Sequence, residues 1–185
     1  MTTDVLDVRK LDIKYDAVRL KQELELLYRQ YPFHKDANQI ALSHSGKFTT
    51  IKEQMYDGVG SLYDRENGVA SDLEENYTVI SDYVKGRYWE DVIKSVQNVS
   101  LFPLGRIRLM LLKPKTCYSW HRDSDEIRYH IPIVTNANCF IGTEQGLYRM
   151  EEEGRLYTLI STQYHTALNA SFKPRVHLVF STYTS

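Results

Sequence analysis

A change of hydrophobic period near residue 105 constrains this chain more than any other feature. Beyond it, segments 106–112, 116–120, 128–134, 139–142, 146–150, 155–160, 166–168 and 175–183 are short and rich in Val, Ile, Tyr and Leu. Turn formers separate them, among them Lys113-Pro114, Asn136-Ala137-Asn138 and Lys173-Pro174. About eight short strands at roughly 8–12 residue spacing predict an antiparallel sandwich or barrel. The first 104 residues read differently. Asp16 suits the N-cap of a helix over 16–30, with Leu20, Leu24, Leu27 and Tyr28 on one face and the Tyr31-Pro32 step ending it. Trp89, Val92, Ile93, Val96 and Val99 predict a second helix over 88–98, and 39–42 suits a short strand. Segment 46–85, with Gly58, Gly60 and Gly68, reads as irregular loops and is the candidate for a lid. The expected fold is mainly β, a jelly roll (double-stranded β-helix) with an N-terminal helical layer. One domain spans 1–185, with 1–104 as the helical and irregular layer and 105–185 as the core carrying the site.

Composition narrows the function. Lys and Arg number 23 against 24 Asp and Glu, a net charge of −1 that gives no electrostatic footprint for nucleic acid or an anionic membrane. No apolar run approaches the roughly 18 residues of a membrane span. Asp4 stands where a signal peptide would carry basic residues. Cys117 and Cys139 are too few for a disulfide framework and form no CxxC site, so a soluble, cytoplasmic setting is expected. The 14 tyrosines suit strands and a pocket with apolar walls and hydroxyl tips.

Four of the six histidines, His121, His130, His165 and His177, fall in the strand-rich half. His121-Arg122-Asp123 is an H-x-D element at the end of a predicted strand, where residues i and i+2 point to the same side and can meet one ion. A third ligand must come from elsewhere, and His165 begins a later strand. Two His and one carboxylate on one face of an octahedron suit non-haem Fe(II) chemistry and leave an excess positive charge for an anionic co-substrate. Arg175 follows His165 by ten residues, across the 169–174 turn. If the two lie on adjacent strands, its guanidinium can clamp a carboxylate that chelates the metal at its other end. A strand arginine paired with a surface acid is the competing reading. Asn169 reads as a turn former, His177 equally as a buried structural histidine, and Asp125 as a loop acid, solvated or holding Arg128. Trp120 reads as core packing and the cysteines as small buried hydrophobes. His34 and His44 read as ordinary, with Ser43-His44 at the pocket mouth if 39–42 joins the sheet.

Four linked elements resemble the aspartyl/asparaginyl β-hydroxylase family of 2-oxoglutarate-dependent oxygenases. They are His121-Arg122-Asp123, Arg128-Tyr129-His130-Ile131-Pro132, His165-Thr166-Ala167-Leu168-Asn169 and Arg175-Val176-His177-Leu178, in the family's order over about 105–181. The resemblance implies a cupin-like jelly roll in which His121, Asp123 and His165 hold Fe(II) and Arg175 takes the distal carboxylate of 2-oxoglutarate. Arg128 and His130 would contact the proximal carboxylate of 2-oxoglutarate or a substrate carboxylate, the two roles left undivided. O₂ would be the oxidant, and the substrate an amino acid, free or within a peptide or protein, that bears a carboxylate. Animal aspartyl hydroxylases have Gly in place of the ligand carboxylate, so Asp123 places the chain nearer the bacterial-type members with a full triad, some of which act on free amino acids. A cupin-like metalloenzyme that does not use 2-oxoglutarate, and a non-enzymatic module holding an anionic ligand, are the alternatives.

Overall fold

The alternation of side chains along the predicted strands requires two different partners for the two faces of the main sheet, and the architecture supplies both. The computed structural model describes residues 7–64, 69–124 and 127–184. In chain order its N-terminal elements are β1 (Val8–Lys14), α1 (Ala17–Gln30), β2 (Gln39–Ala41), β3 (Ser43–His44), α2 (Ile51–Gln54), β4 (Tyr63–Asp64) and β5 (Val69–Ala70). A 3-10 turn (Glu74–Asn76), β6 (Val79–Ile80), α3 (Tyr88–Val99) and β7 (Leu104–Leu112) lead into the strand-rich half. There follow β8 (Thr116–Cys117), β9 (Ile127–Val134), β10 (Cys139–Thr143), β11 (Gly146–Tyr148), β12 (Arg155–Ile160), β13 (His165–Asn169) and β14 (Arg175–Thr182).

Two antiparallel sheets form the jelly roll. The larger has the order β1-β12-β9-β14-β7-β2 and the smaller β11-β10-β13-β8. Register fixes which side chains share a face: Val179 stands opposite Arg108 and His130, and His130 opposite Tyr157. Those residues and their i±2 neighbours point between the sheets. The other phase of the same strands carries Ile107, Leu109, Ile131, Leu178 and Phe180, which are buried in one core with Leu20, Leu24 and Leu27 of α1 and Trp89, Val92 and Val96 of α3. A second, smaller core between the sheets contains Leu112, Ile141, Tyr157, Leu159 and Ala167. The helical layer therefore covers one face of the large sheet and leaves its other face for chemistry.

Both long helices form for the expected reasons. The Asp16 carboxylate accepts from the backbone N–H groups of Val18 and Arg19 at 2.9 and 3.1 Å, and the chain turns extended at Tyr31 ahead of Pro32. Tyr28 and Val99, assigned to the apolar faces by spacing, are instead 53% and 41% exposed, because each lies at the edge of its helix's buried stripe. Trp120 is 49% exposed and Cys117 is exposed, contrary to the core reading of both; Cys139 is buried as expected. β8 ends at Cys117, so Tyr118 to Trp120 leave the sheet.

The first 104 residues do more than cover the sheet. β1 pairs with β12 at one edge and β2 with β7 at the other. Segment 46–85 carries α2, β4, β5, the 3-10 turn and β6. Residues Ser43 and His44 pair with β6 and do not reach the pocket mouth, although β2 joins the sheet. Among the described residues no helix is long and apolar enough to cross a membrane.

Candidate functional site

His121 and His165 are joined by a β-bridge, with backbone bonds from His121 N–H to His165 O at 3.0 Å and from His165 N–H to His121 O at 2.7 Å. Residues so paired stand side by side on one face, and the two imidazole centroids are 4.5 Å apart. Asp123, two residues on, is anchored by its N–H to the Ser161 carbonyl at 2.9 Å. The ligand atoms of His121, Asp123 and His165 all lie within 4.8 Å of one another.

The donor set suits a divalent metal. Each imidazole donates its Nδ1–H to a backbone carbonyl two residues earlier, His121 to Ser119 at 2.7 Å and His165 to Gln163 at 2.9 Å. A carbonyl can only accept, so the tautomer is fixed and Nε2 keeps its lone pair for an ion. Asp123 Oδ2 is buried and makes no hydrogen bond among the described residues, although it lies 2.9 Å from Arg128 Nη1 and 3.3 Å from His165 Nε2. Burial would raise the Asp123 carboxyl, but the Arg128 charge and the neighbouring imidazoles outweigh it and hold the group well below the usual aspartate value. An ionised, under-coordinated oxygen beside two oriented imidazoles is what a 2-His-1-carboxylate centre requires.

The pocket beyond this cluster runs between the sheets. His121, Arg128, His130, His165 and Arg175 line it, with Tyr118, Ile141 and Leu159 on the apolar side. Arg128 and His130 alternate on β9 and face the same way, as their spacing predicts. Arg175 does not sit where adjacent-strand reasoning put it. β13 belongs to the small sheet and β14 to the large one, so His165 and Arg175 approach across the interior and the 169–174 segment is a crossing between layers. Asn169 organises that crossing: its amide donates to Leu112 O and Lys173 O, and its carbonyl accepts from Ser171.

Arg175 is 3% exposed and has no hydrogen bond or ion pair among the described residues. Burial lowers its pKa, while the Tyr118 and Cys139 groups nearby act in the opposite direction. His130 and His177 are packed edge to face at 5.7 Å, and neither ring has a hydrogen-bond partner among the described residues. Burial first, and then the Arg175 charge, push both imidazoles far below the ordinary histidine value, so both are neutral near pH 7. Asp125 lies outside the described residues.

Three further buried groups escaped sequence reasoning. Arg106 and Arg108 occupy the inward phase of β7, and Glu74 comes from the 3-10 turn. Glu74 takes two bonds from the Arg106 side chain, Nε at 2.8 Å and Nη2 at 2.6 Å, and its Oε1 lies 4.0 Å from Arg128 Nη2. A signal existed for the arginines, since Arg106-Ile107-Arg108-Leu109 alternates charge with apolar residues in a central strand. None existed for Glu74.

Fold and site together define a jelly-roll protein with a two-histidine, one-carboxylate cluster facing a buried cationic wall. The family model described as aspartyl/asparaginyl β-hydroxylase matches residues 88–184, and the chain belongs to that family. A search of the curated proteins found no match. Among solved structures, a 2OG-Fe(II) oxygenase family oxidoreductase from Burkholderia pseudomallei is similar at TM-score 0.56 and 11% identity, covering 95% of this chain and 83% of that one. The collagen prolyl hydroxylase of Paramecium bursaria Chlorella virus-1, solved as its 2OG complex, is similar at TM-score 0.53 and 9% identity, covering 98% of both chains. At such identities the likeness is one of fold.

Proposed function

We propose that this chain is an Fe(II)/2-oxoglutarate-dependent oxygenase that hydroxylates an amino acid, free or as a residue of a peptide or protein. The observation that carries the reading is Arg175, a buried guanidinium without a partner among the described residues, on the wall opposite His121, Asp123 and His165. An unpaired buried charge is costly, and the chain retains it where a dicarboxylate would satisfy it.

His121, Asp123 and His165 would hold the metal, with Ser119 and Gln163 carbonyls fixing both rings. When bound, iron and 2-oxoglutarate supply oxidation of a C–H bond by O₂, with succinate and CO₂ as co-products. Arg175 would grip the distal carboxylate in a bidentate fork. Neutral His130 presents an N–H to the same pocket without adding charge, and Arg128 supplies a second cation for a proximal or substrate carboxylate. Ile141, Leu159 and Tyr118 keep the pocket wall dry, which strengthens each of these contacts. The substrate is expected to carry a carboxylate, because one ligand acid and Glu74 leave the interior cationic once a metal is present.

The test is anaerobic addition of Fe(II) and 2-oxoglutarate, followed by succinate measurement in air across a panel of amino acids and short peptides. A weak visible charge-transfer band that disappears in His121→Ala, with succinate stimulated by a panel member, is the expected result. Retention of the band in His121→Ala overturns the ligand assignment.

A further inference from the structure

Arg128 is placed between two acids that have different uses. Its Nη1 lies 2.9 Å from Asp123 Oδ2, the oxygen of the ligand cluster, and its Nη2 lies 4.0 Å from Glu74 Oε1. A guanidinium that close to Asp123 competes with a cation for the same carboxylate. Glu74 is one of the groups that can take up the guanidinium when Asp123 is taken by an ion.

Glu74 is built into that position. It is 8% exposed, and Arg106 fixes both its oxygens while also donating to the Gly58 and Gly60 carbonyls at 2.9 and 3.0 Å. Gly105 lets the segment lie against β7: a Cβ there would come within 2.7 Å of Glu74 O. Arg106 N–H also points at Glu74 Oε2, at 3.3 Å. Burial alone would raise the Glu74 carboxyl, yet Arg106, Arg108 and Arg128 together keep it below the ordinary glutamate value, so it is a fixed anion. Its segment lies outside the family match over 88–184.

We propose that Glu74 is a positioning residue for the metal centre: it holds the Arg128 guanidinium against the pocket wall and so leaves Asp123 available to the ion. The inference rests on the oxygenase reading of the site. Without the Glu74 charge, Arg128 loses one of the acids within its reach, its pair with Asp123 tightens, and the ion must break that pair. Removing Arg128 instead removes the competitor, and Glu74 then has nothing to position.

The experiment is a double-mutant cycle read by Co(II) binding to the full, chelator-treated chain, followed by calorimetry and the Co(II) visible spectrum. In the wild-type background Glu74→Gln is expected to weaken Co(II) roughly five- to tenfold, within the range for contacting groups of one ion-pair network. In the Arg128→Gln background the same change is expected to have almost no effect. If Glu74→Gln leaves Arg106 unpaired and the chain unfolds, the neutral pair Glu74→Gln/Arg106→Gln, which conserves net charge, is carried through the same cycle. Equal weakening in both backgrounds means that Glu74 acts by its bare charge and overturns the proposal, as does no weakening in either. A wild-type chain that does not bind Co(II), or binds it equally well as His165→Ala, refutes the metal-site reading itself, a different outcome.

Discussion

His165 and Arg175 are ten residues apart in the chain and lie in different sheets, facing one pocket from opposite walls. The chain between them crosses from the small sheet to the large one, and Asn169 ties the crossing to Leu112 of the large sheet at 3.1 Å. The interior of the jelly roll therefore lies between the metal-type cluster and the Arg175 guanidinium, with Arg128 and His130 lining the same cavity.

Stability and function should therefore move in opposite directions at Arg175. Replacing it with Met removes an unpaired buried charge while keeping most of the volume, so Arg175→Met is expected to raise unfolding free energy by about 2 kcal/mol. The same change should weaken 2-oxoglutarate by more than about a hundredfold, the cost of leaving a carboxylate buried without its partner. Urea unfolding and co-substrate titration of one variant check both halves. A destabilised Arg175→Met would show that the guanidinium is a structural element.

Metal should stabilise the chain by mass action at the triad. At a hundred times its dissociation constant a bound ion adds about 2.7 kcal/mol, which for a domain of this size raises the melting temperature by roughly 5–10 °C. Mn(II), which resists oxidation in air, is a suitable probe. The shift is expected to vanish in His165→Ala and to be reversed by chelator in the wild type.

Much of this was legible in the sequence, and the failures have physical causes. The eight strands of the C-terminal half appear because short β-branched and aromatic runs between turn formers carry a period-2 signal that tertiary context reinforces. The convergence of His121, Asp123 and His165 was readable because H-x-D is local and His165 opens its own strand. β1 was missed although Leu11 and Ile13 alternate with Asp12 and Lys14, because an edge strand half-covered by solvent carries few apolar residues. Glu74 could not be found at all. Its place beside Arg106 depends on Gly105 admitting the 3-10 turn to β7, a contact between segments about thirty residues apart that no local pattern encodes. The sheet change between β13 and β14 was misread for a related reason: a short turn sequence looks the same whether it closes a hairpin or crosses between layers.

The buried histidines predict an acid-side loss of stability above the carboxylate range. His177 is 1% exposed, and burial, then the Arg175 charge, then His130 lower its pKa far below 6.5. As pH falls through about 6.5 the unfolded chain takes up a proton at this site and the folded chain does not, so unfolding is favoured progressively below that pH. Between pH 7.5 and 5.5 the group should cost about 1.4 kcal/mol. His130 and His44 shift in the same direction and add to the slope. Asp123 and Glu74, whose values are depressed, contribute only as pH falls below about 4.5. Urea unfolding of the metal-free chain at pH 7.5 and 5.5 should show His177→Leu losing less stability than the wild type by that amount.

Gly105 offers the sharpest check on how the N-terminal segment is seated. A methyl group there would meet Glu74 O at 2.7 Å and Glu74 Cβ at 2.9 Å, and backbone atoms cannot swing aside as a side-chain end can. The turn must lift from β7, and with it the carboxylate that accepts from Arg106 Nε and Nη2. Gly105→Ala is expected to cost about 1–3 kcal/mol in urea unfolding through this overpacking. Arg106→Gln alone should be more severe, since it strands the buried Glu74 anion and removes the donors to Gly58 O and Gly60 O. Because both changes act by unseating the same carboxylate, their combination should cost clearly less than the sum of the two. A double variant whose loss is additive would mean that Gly105 and Arg106 support different parts of the fold, and that the close approach at Gly105 does not hold Glu74 in place.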